Sequence, residues 1–109
     1  MLPSVTSAAA YHARGRQLIQ EEKYAESIEP LTQAVKLDPF LSLAFNARGY
    51  AYFRMKQYQE ALADFDQAIK LNPIYTNAYV NRGMARRAAG DMKGGDADQA
   101  KVRELMKMK

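Results

Sequence analysis

Side chains that commonly take part in catalysis are scarce in this chain of 109 residues. It has one histidine, His12, and no cysteine, which excludes thiolate nucleophiles, thiolate metal sites and disulfides. No Ser-His-Asp arrangement or glycine-rich phosphate loop has a plausible spacing. The oxygen ligands around Gly94-Gly95 and Asp96 are too few and too irregular for a calcium loop. We therefore expect no catalytic residue, no metal site and no cofactor.

Arginine side chains, in contrast, are grouped at three places along the chain. The groups are Arg14 and Arg16, then Arg48 and Arg54, then Arg82, Arg86 and Arg87. The planar guanidinium group donates two parallel hydrogen bonds to a carboxylate, so the chemistry that these residues suggest is recognition of acidic groups. The net charge is only +4, so the positions of the arginines matter more than the total charge.

The elements that position these side chains are amphipathic helices. In the stretch 43–73, apolar residues at spacings of three and four predict two helices joined by a turn near Tyr58. Asn72-Pro73 ends the second helix, because proline disfavours helix in the residue before it. The same residue types recur 34 residues before and after, in the series Arg14, Arg48, Arg82 and Gly15, Gly49, Gly83. Glycine is unfavourable inside a helix, so its recurrence suggests that another helix packs against the backbone there.

Two helices in a fixed period of 34 residues are typical of a helical repeat array. In the segments AFNARGYAYF, YQEA and DFDQAIKLNP, the chain resembles the tetratricopeptide repeat (TPR) family. The resemblance covers nearly all of residues 8–107. It implies an all-α fold, a right-handed α-α superhelix of three helix-turn-helix repeats with six antiparallel helices.

We divide the chain into a flexible leader, residues 1–7, and a single array, residues 8–109. Thr6 or Ser7 is expected to cap the first helix. The repeats span about 8–41, 42–75 and 76–109. The last repeat is degenerate in its second half, where Gly94-Gly95 stand inside the second helix. Two glycines there would lower the stability of that helix by roughly 2 kcal/mol relative to alanine. We expect that helix to start late or to have a frayed first turn, and to cap the array with polar side chains.

The resemblance implies that the first helix of each repeat lines a concave groove. The residues expected there are His12, Arg16, Asn46, Tyr50, Phe53, Arg54, Asn77, Val80, Asn81, Met84 and Arg87, with Ile19, Gln20, Leu43 and Ala88 beside them. Cationic and amide donors next to aromatic and apolar groups suit an acidic, partly apolar peptide. The acidic residues concentrate instead on the second helices of the first two repeats, so the groove should attract negatively charged partners.

Not all of the arginines are expected to be free for binding. Arg48 is predicted to pair with Asp64, and Arg82 with Asp98, whereas Arg14 lacks such a partner because Pro30 stands at the corresponding position. We interpret these three arginines as structural. The better candidates for binding are Arg16, Arg54, Arg86 and Arg87.

One TPR subset binds the acidic C-terminal tails of cytosolic heat-shock chaperones through a two-carboxylate clamp. Its pattern is Lys and Asn in the first repeat, Asn in the second, and Lys and Arg in the third. The corresponding residues here are His12, Arg16, Ala47, Asn77 and Asn81. None of them matches, so the resemblance does not imply a chaperone-tail clamp.

Three functions remain after these exclusions. The first is a non-enzymatic interaction module or adaptor that binds a protein or peptide in the groove. The second is a self-assembling scaffold that stacks through the C-terminal helix, where Met106 and Met108 are expected to be exposed. Nucleic-acid binding through the arginine face is the third, and the acidic second helices disfavour it.

No apolar run is long enough to span a membrane and no signal-peptide pattern is present, so we expect no membrane partner and a cytoplasmic location.

Overall fold

The structure, a computed structural model, describes residues 4–108, and the side chains from Ser7 onward. This part of the chain forms six helices and no strand. They are α1 (Ser4–Gln20), α2 (Tyr24–Leu37), α3 (Ser42–Arg54), α4 (Tyr58–Leu71), α5 (Thr76–Ala88) and α6 (Met92–Lys107). Within the same residues, no helix combines the length and the hydropathy that crossing a membrane requires.

Two helix boundaries differ from those predicted. α1 begins at Ser4 rather than at Ala8, which places the expected caps Thr6 and Ser7 inside the helix, because no residue between Ser4 and Ala8 breaks a helix. Residues 1–3 of the predicted leader lie outside the described residues. The expected late or frayed start of α6 is wrong, since α6 begins at Met92.

The start of α6 is held by a side-chain cap. The Asp91 carboxylate accepts a hydrogen bond of 2.8 Å from the backbone N–H of Gly94. Such a cap satisfies one of the donors that a helix N-terminus leaves unpaired, and it stabilises the helix by about 1 kcal/mol. The cap therefore offsets part of the cost of the two glycines that follow it.

Packing between helices explains which side of the array is concave. Each helix packs on the next one along the chain, and α1 and α5 also both contact α3. In the described part of the chain, no two of α2, α4 and α6 touch. The odd-numbered helices are therefore closer together than the even-numbered helices, so the array curves with α1, α3 and α5 on its inner surface.

The core confirms the packing role of two of the recurring glycines. A Cβ on Gly49 would lie only 2.7 Å from the ring of Phe65, which is fully buried, and a Cβ on Gly15 would overlap the side chain of Leu31. Gly83 is less crowded, because the nearest atom to its Cβ would be the Asp98 Cβ at 3.2 Å. The first two glycines therefore leave room for a large apolar side chain of the facing helix, whereas Gly83 faces Asp98 and the backbone oxygen of Gly95.

The predicted ion pairs of two structural arginines are also confirmed. Arg48 donates two hydrogen bonds of 2.8 Å to the Asp64 carboxylate. Arg82 pairs with Asp98 in the same way, at 3.0 and 2.8 Å. Each guanidinium also reaches back to the preceding repeat, where Arg48 donates to Thr32 at 3.2 Å and Arg82 to Asp66 at 2.9 Å. These arginines join neighbouring repeats and fix how the odd-numbered helices stand relative to one another.

Candidate functional site

The inner surface contains an open cavity of about 490 Å³. It lies where α1, α3, α5 and the loop between α4 and α5 meet. The residues that line it are His12, Arg16, Ile19, Gln20, Leu43, Asn46, Ala47, Tyr50, Tyr75, Asn77 and Asn81. We call this cavity the groove. A surface of this kind, formed by three helices and one loop, is fixed by the packing of the repeats and not by any single element.

The structure divides the predicted groove residues into two sets. The set that it brings together consists of His12, Arg16, Asn46, Tyr50, Asn77 and Asn81, with the neighbours Ile19, Gln20 and Leu43. The set that lies outside the groove lining consists of Phe53, Arg54, Val80, Met84 and Arg87.

Phe53 and Arg54 lie at one edge of the groove and support Tyr50. Phe53 packs against the core cluster that contains Phe65, and its ring centroid is 6.5 Å from that of Tyr50. The Arg54 guanidinium donates a 3.1 Å hydrogen bond to the Tyr50 hydroxyl and lies 5.1 Å from the ring centroid of Tyr24. A cation over aromatic rings is attracted to their faces, so Arg54 holds the Tyr50 ring in place.

Val80 and Met84 extend the apolar character of the inner surface beyond the groove. Both lie on α5 and are 40% exposed. Their spacing of four residues puts them on one face of the helix, one turn apart. They are accessible for contact with a long peptide, although they do not line the cavity itself.

Arg86 and Arg87 form hydrogen bonds with α6, although both were predicted to be free for binding. Arg87 donates to the Asp96 carboxylate and to the Gln99 amide oxygen, each at 2.8 Å. Arg86 donates to the Asp98 carboxylate at 3.1 Å. These contacts were not predicted, because the partners follow the turn into α6 at spacings that do not occur in the first two repeats.

The same contacts explain the glycine pair in α6. A Cβ on Gly95 would lie 2.5 Å from Cγ of Arg87. A Cβ on Gly94 would overlap the capping carboxylate of Asp91 and lie 2.8 Å from Cδ of Arg86. Arg86 also donates a long hydrogen bond of 3.4 Å to the carbonyl oxygen of Gly94. Glycine at both positions therefore makes room for two arginine side chains against the first turn of α6.

A chain of hydrogen bonds crosses the floor of the groove. The Asn81 amide donates to the Asn46 side-chain oxygen at 3.1 Å, and the Asn46 amide donates to the Tyr75 hydroxyl at 3.1 Å. Sequence reasoning missed Tyr75. It lies in the loop before α5, and the residue 34 positions earlier is Leu41, so no periodic signal marked it.

The electrostatics of the groove are set by Arg16. Among the lining residues that the structure describes, none carries a carboxylate, and Arg16 is exposed. Burial, and then the neighbouring Arg16 charge, lower the pKa of His12, which keeps its imidazole neutral at pH 7. Burial raises the pKa of Tyr75, against smaller opposing effects of its bond from Asn46 and of the Arg16 charge. The groove therefore holds one permanent positive charge beside several neutral donors.

Comparisons with known proteins agree with the periodicity. The family described as Tetratricopeptide repeat matches residues 42–75 and, in a second family description of the same name, residues 8–40. Neither match extends into the last repeat. A comparison with curated protein sequences finds no match.

Solved structures of similar fold cover all six helices. The first TPR domain of human RPAP3 is 33% identical, with a TM-score of 0.88, over 95% of this chain and 80% of that chain. The first TPR of Spaghetti (RPAP3), bound to the HSP90 peptide SRMEEVD, is 33% identical, with a TM-score of 0.90, over 93% of this chain and 80% of that chain. The second TPR domain of human RPAP3, in complex with the HSP70 peptide SGPTIEEVD, is 31% identical, with a TM-score of 0.90, over 94% and 85%.

Proposed function

Since the chain belongs to the tetratricopeptide repeat family, we propose that it is a non-enzymatic interaction module that binds an acidic, partly apolar peptide segment in its groove. The observation that carries the proposal is the groove itself, which combines the exposed Arg16 with amide, hydroxyl and aromatic groups and no lining carboxylate. Clefts that carry charge of one sign attract ligands of the opposite sign.

The bound peptides of similar domains have the same mixed character. The HSP90 peptide SRMEEVD and the HSP70 peptide SGPTIEEVD both place carboxylates beside Met, Ile or Val. The domains that hold them are more than 30% identical to this chain over most of its length. This similarity supports a peptide ligand of the same class.

We assign the groove residues three roles in binding. Arg16 pairs with a carboxylate of the peptide, and His12 and Gln20 offer further polar contacts on α1. Asn77 and Asn81 on α5 hold the peptide backbone through their amides, as an extended peptide requires. Apolar side chains of the ligand contact Ile19, Leu43 and Tyr50, and a longer ligand also reaches Val80 and Met84. Arg54 acts through Tyr50, and we assign Phe53 and Arg87 to the support of the groove.

The mode of binding differs from the two-carboxylate clamp of the chaperone-binding subset. None of the positions His12, Arg16, Ala47, Asn77 and Asn81 carries the clamp residue, and only one of them is a permanent cation. We therefore propose that side-chain carboxylates of the ligand matter, and that its C-terminal carboxylate is dispensable.

A pair of matched peptides tests this proposal. The acidic probe is SRMEEVD with an acetylated N-terminus and an amidated C-terminus. The control is SRMQQVN with the same blocked ends, in which amides replace the three carboxylates and the arginine is kept. We expect the acidic probe to bind about tenfold more tightly in NMR titrations, with shifts centred on Arg16, Asn46, Tyr50 and Asn81. Equal affinity for the two peptides, or shifts confined to α6, would contradict the proposal.

Self-association through α6 is the alternative that the same samples address. Met106 and Met108 are 56% and 69% exposed, as the alternative requires. However, α6 is capped by Asp91 and bonded to α5 through Arg86 and Arg87. We therefore propose that α6 closes the array. Light scattering should show a mass that does not change with concentration.

A further inference from the structure

The hydroxyl group of Tyr75 is placed by a directional chain of hydrogen bonds. Asn81 donates to the side-chain oxygen of Asn46, and Asn46 then donates to the oxygen of Tyr75. A tyrosine hydroxyl has one hydrogen of its own in addition to its acceptor lone pairs. Since its oxygen accepts from Asn46, that hydrogen remains available to a different partner.

The remaining hydrogen of Tyr75 has no acceptor among the described residues. Within the part of the chain that the structure describes, no hydrogen bond runs from this hydroxyl to another group, whereas that of Tyr79 donates to the Pro73 carbonyl at 2.9 Å. Tyr75 lines the groove and is only partly buried. The free donor is therefore accessible to a ligand that occupies the groove.

Arg16 lines the same groove as this hydroxyl. Its charge acts to lower the pKa of Tyr75 and that of His12. Arg16 forms no ion pair with any other residue in the range 4–108. A guanidinium group and a neutral hydroxyl donor thus face the same space, and no lining carboxylate competes for either of them.

We propose that the Tyr75 hydroxyl and the Arg16 guanidinium together hold one carboxylate of the ligand, which makes Tyr75 a specificity-determining contact. This inference rests on the proposed function and names the group that the groove selects. Arg16 supplies the charge, and Tyr75 supplies a hydrogen bond whose direction is set by Asn46 and Asn81. Hydrogen bonds to charged groups are stronger than those to neutral groups, so a carboxylate gains more from Tyr75 than an amide does.

The substitution Tyr75→Phe tests the inference because it keeps the ring and removes the donor. The probes are the same blocked peptides, acidic SRMEEVD and its amide control SRMQQVN, measured by titration calorimetry. We expect Tyr75→Phe to weaken binding of the acidic peptide about tenfold and to leave binding of the amide control unchanged. The matched control is Tyr58→Phe, which removes a hydroxyl outside the groove lining and should change neither affinity.

A second variant keeps Tyr75 and removes what orients it. Asn46→Ala deletes the donor to the Tyr75 oxygen, and we expect a smaller, severalfold loss that again affects only the acidic peptide. Because Arg16 and Tyr75 share one carboxylate, the losses in Arg16→Gln and Tyr75→Phe should not add in the double variant. Amide spectra of each variant would confirm that the array is folded.

The outcomes separate the inference from the proposed function. If the wild-type chain prefers the acidic peptide and Tyr75→Phe keeps that preference, the inference is wrong and the proposed function stands. If Tyr75→Phe weakens both peptides equally, Tyr75 is a structural residue and the inference is again wrong. If the wild-type chain shows no preference, the proposed function fails, and the inference fails with it.

Discussion

The role of each structural arginine is decided by the residues 16 positions away along the chain. Arg48 and Arg82 each find an acidic residue at that distance ahead of them and an oxygen acceptor at the same distance behind. Arg14 has Pro30 in the forward position. A guanidinium group that is held by two repeats in this way has little capacity left for a ligand, which is why Arg16, outside this series, is the exposed cation of the groove.

The recurring glycines allow a prediction with an internal control. Gly49→Ala should destabilise the fold by about 1–2 kcal/mol, because a Cβ overlaps the Phe65 ring and overpacking outweighs the gain in helix propensity. Gly83→Ala should change the free energy of unfolding by less than about 1 kcal/mol, since only the Asp98 Cβ at 3.2 Å has to shift. Urea unfolding of the two variants would measure the difference. Equal losses would show that the glycines do not mark the closest packing.

These residues also show what the sequence could and could not predict. Arg48–Asp64 and Arg82–Asp98 were predictable because the pairs recur with the repeat. Tyr75 lies in a loop, and its bond with Asn46 spans 29 residues, so neither local pattern nor periodicity indicated it. Side-chain contacts that depend on how repeats curve towards one another are absent from a one-dimensional pattern.

His12 gives a prediction about pH. Its pKa in the folded chain is lowered from 6.5 by burial and by Arg16, so below pH 6.5 the unfolded chain binds a proton that the folded chain does not. Stability should be unaffected above about pH 7 and should fall as the pH decreases through 6.5 towards the lower folded pKa. The variant His12→Gln should lose this part of the pH dependence. A stability difference between the two proteins that is the same at pH 7.5 and pH 5.5 would contradict the account.

At the scale of the helices, the turn between the two helices of a repeat has the same backbone conformation in all three repeats. Glu22, Lys56 and Gly90 stand at equivalent positions, and all have positive φ, of 60°, 64° and 96°. Only glycine adopts this left-handed conformation without strain. The first two repeats thus have a non-glycine residue in a strained conformation at this position. The third repeat, although its sequence is degenerate, has a glycine there, which adopts the conformation without strain.

This turn leads to a prediction about stability. Lys56→Gly should stabilise the fold by up to about 1 kcal/mol, because relief of the strained conformation exceeds the entropy that glycine adds to the unfolded chain. Gly90→Ala should destabilise the fold by about 1 kcal/mol for the converse reason. Lys56→Ala, which removes the charge and leaves the strain, is the control and should have little effect. Thermal unfolding of the three variants would measure these changes in stability. A higher melting temperature for Gly90→Ala than for the wild type would contradict the interpretation.

The start of α6 was predicted wrongly because the prediction considered only helix propensity. Two glycines near a helix start indicate fraying by propensity alone, yet the helix begins at Met92. The Asp91 cap and the Arg86 and Arg87 side chains that lie over Gly94 and Gly95 supply the missing stability. The cap is local to α6, whereas the two arginine side chains come from α5, so the sequence of α6 alone did not contain their contribution.

For the molecule as a whole, the fold was predictable because the same pattern of residue types occurs in each repeat, so three weak local indications support one another. The period of 34 residues indicated a helical repeat array, and the family resemblance implied an all-α superhelix of six helices. The six helices of the described residues and the solved TPR structures confirm this fold. The location of the groove on the odd-numbered helices followed from the family resemblance. Its extent did not, because the lining depends on the curvature of the array and on the loop that carries Tyr75.

The separation of charge across the array has a functional consequence. Arg48, Arg82, Arg86 and Arg87 are paired with carboxylates of the even-numbered helices, so four of the seven arginines on the inner helices are neutralised within the protein. Arg16 is left as the exposed charge in the groove. This arrangement is the reason why we propose a short acidic segment as the ligand and not a polyanion, which would require a continuous row of free cations.

The most direct test of the account is the affinity of the blocked acidic peptide SRMEEVD, relative to its amide control SRMQQVN, for the wild-type chain and for Arg16→Gln. Arg103→Gln removes the same charge from the exposed surface of α6 and is the matched control. We predict a preference of about tenfold for the acidic peptide in the wild type and in Arg103→Gln, and its loss in Arg16→Gln. A preference that survives Arg16→Gln, or that disappears equally in Arg103→Gln, would show that the groove does not select the ligand.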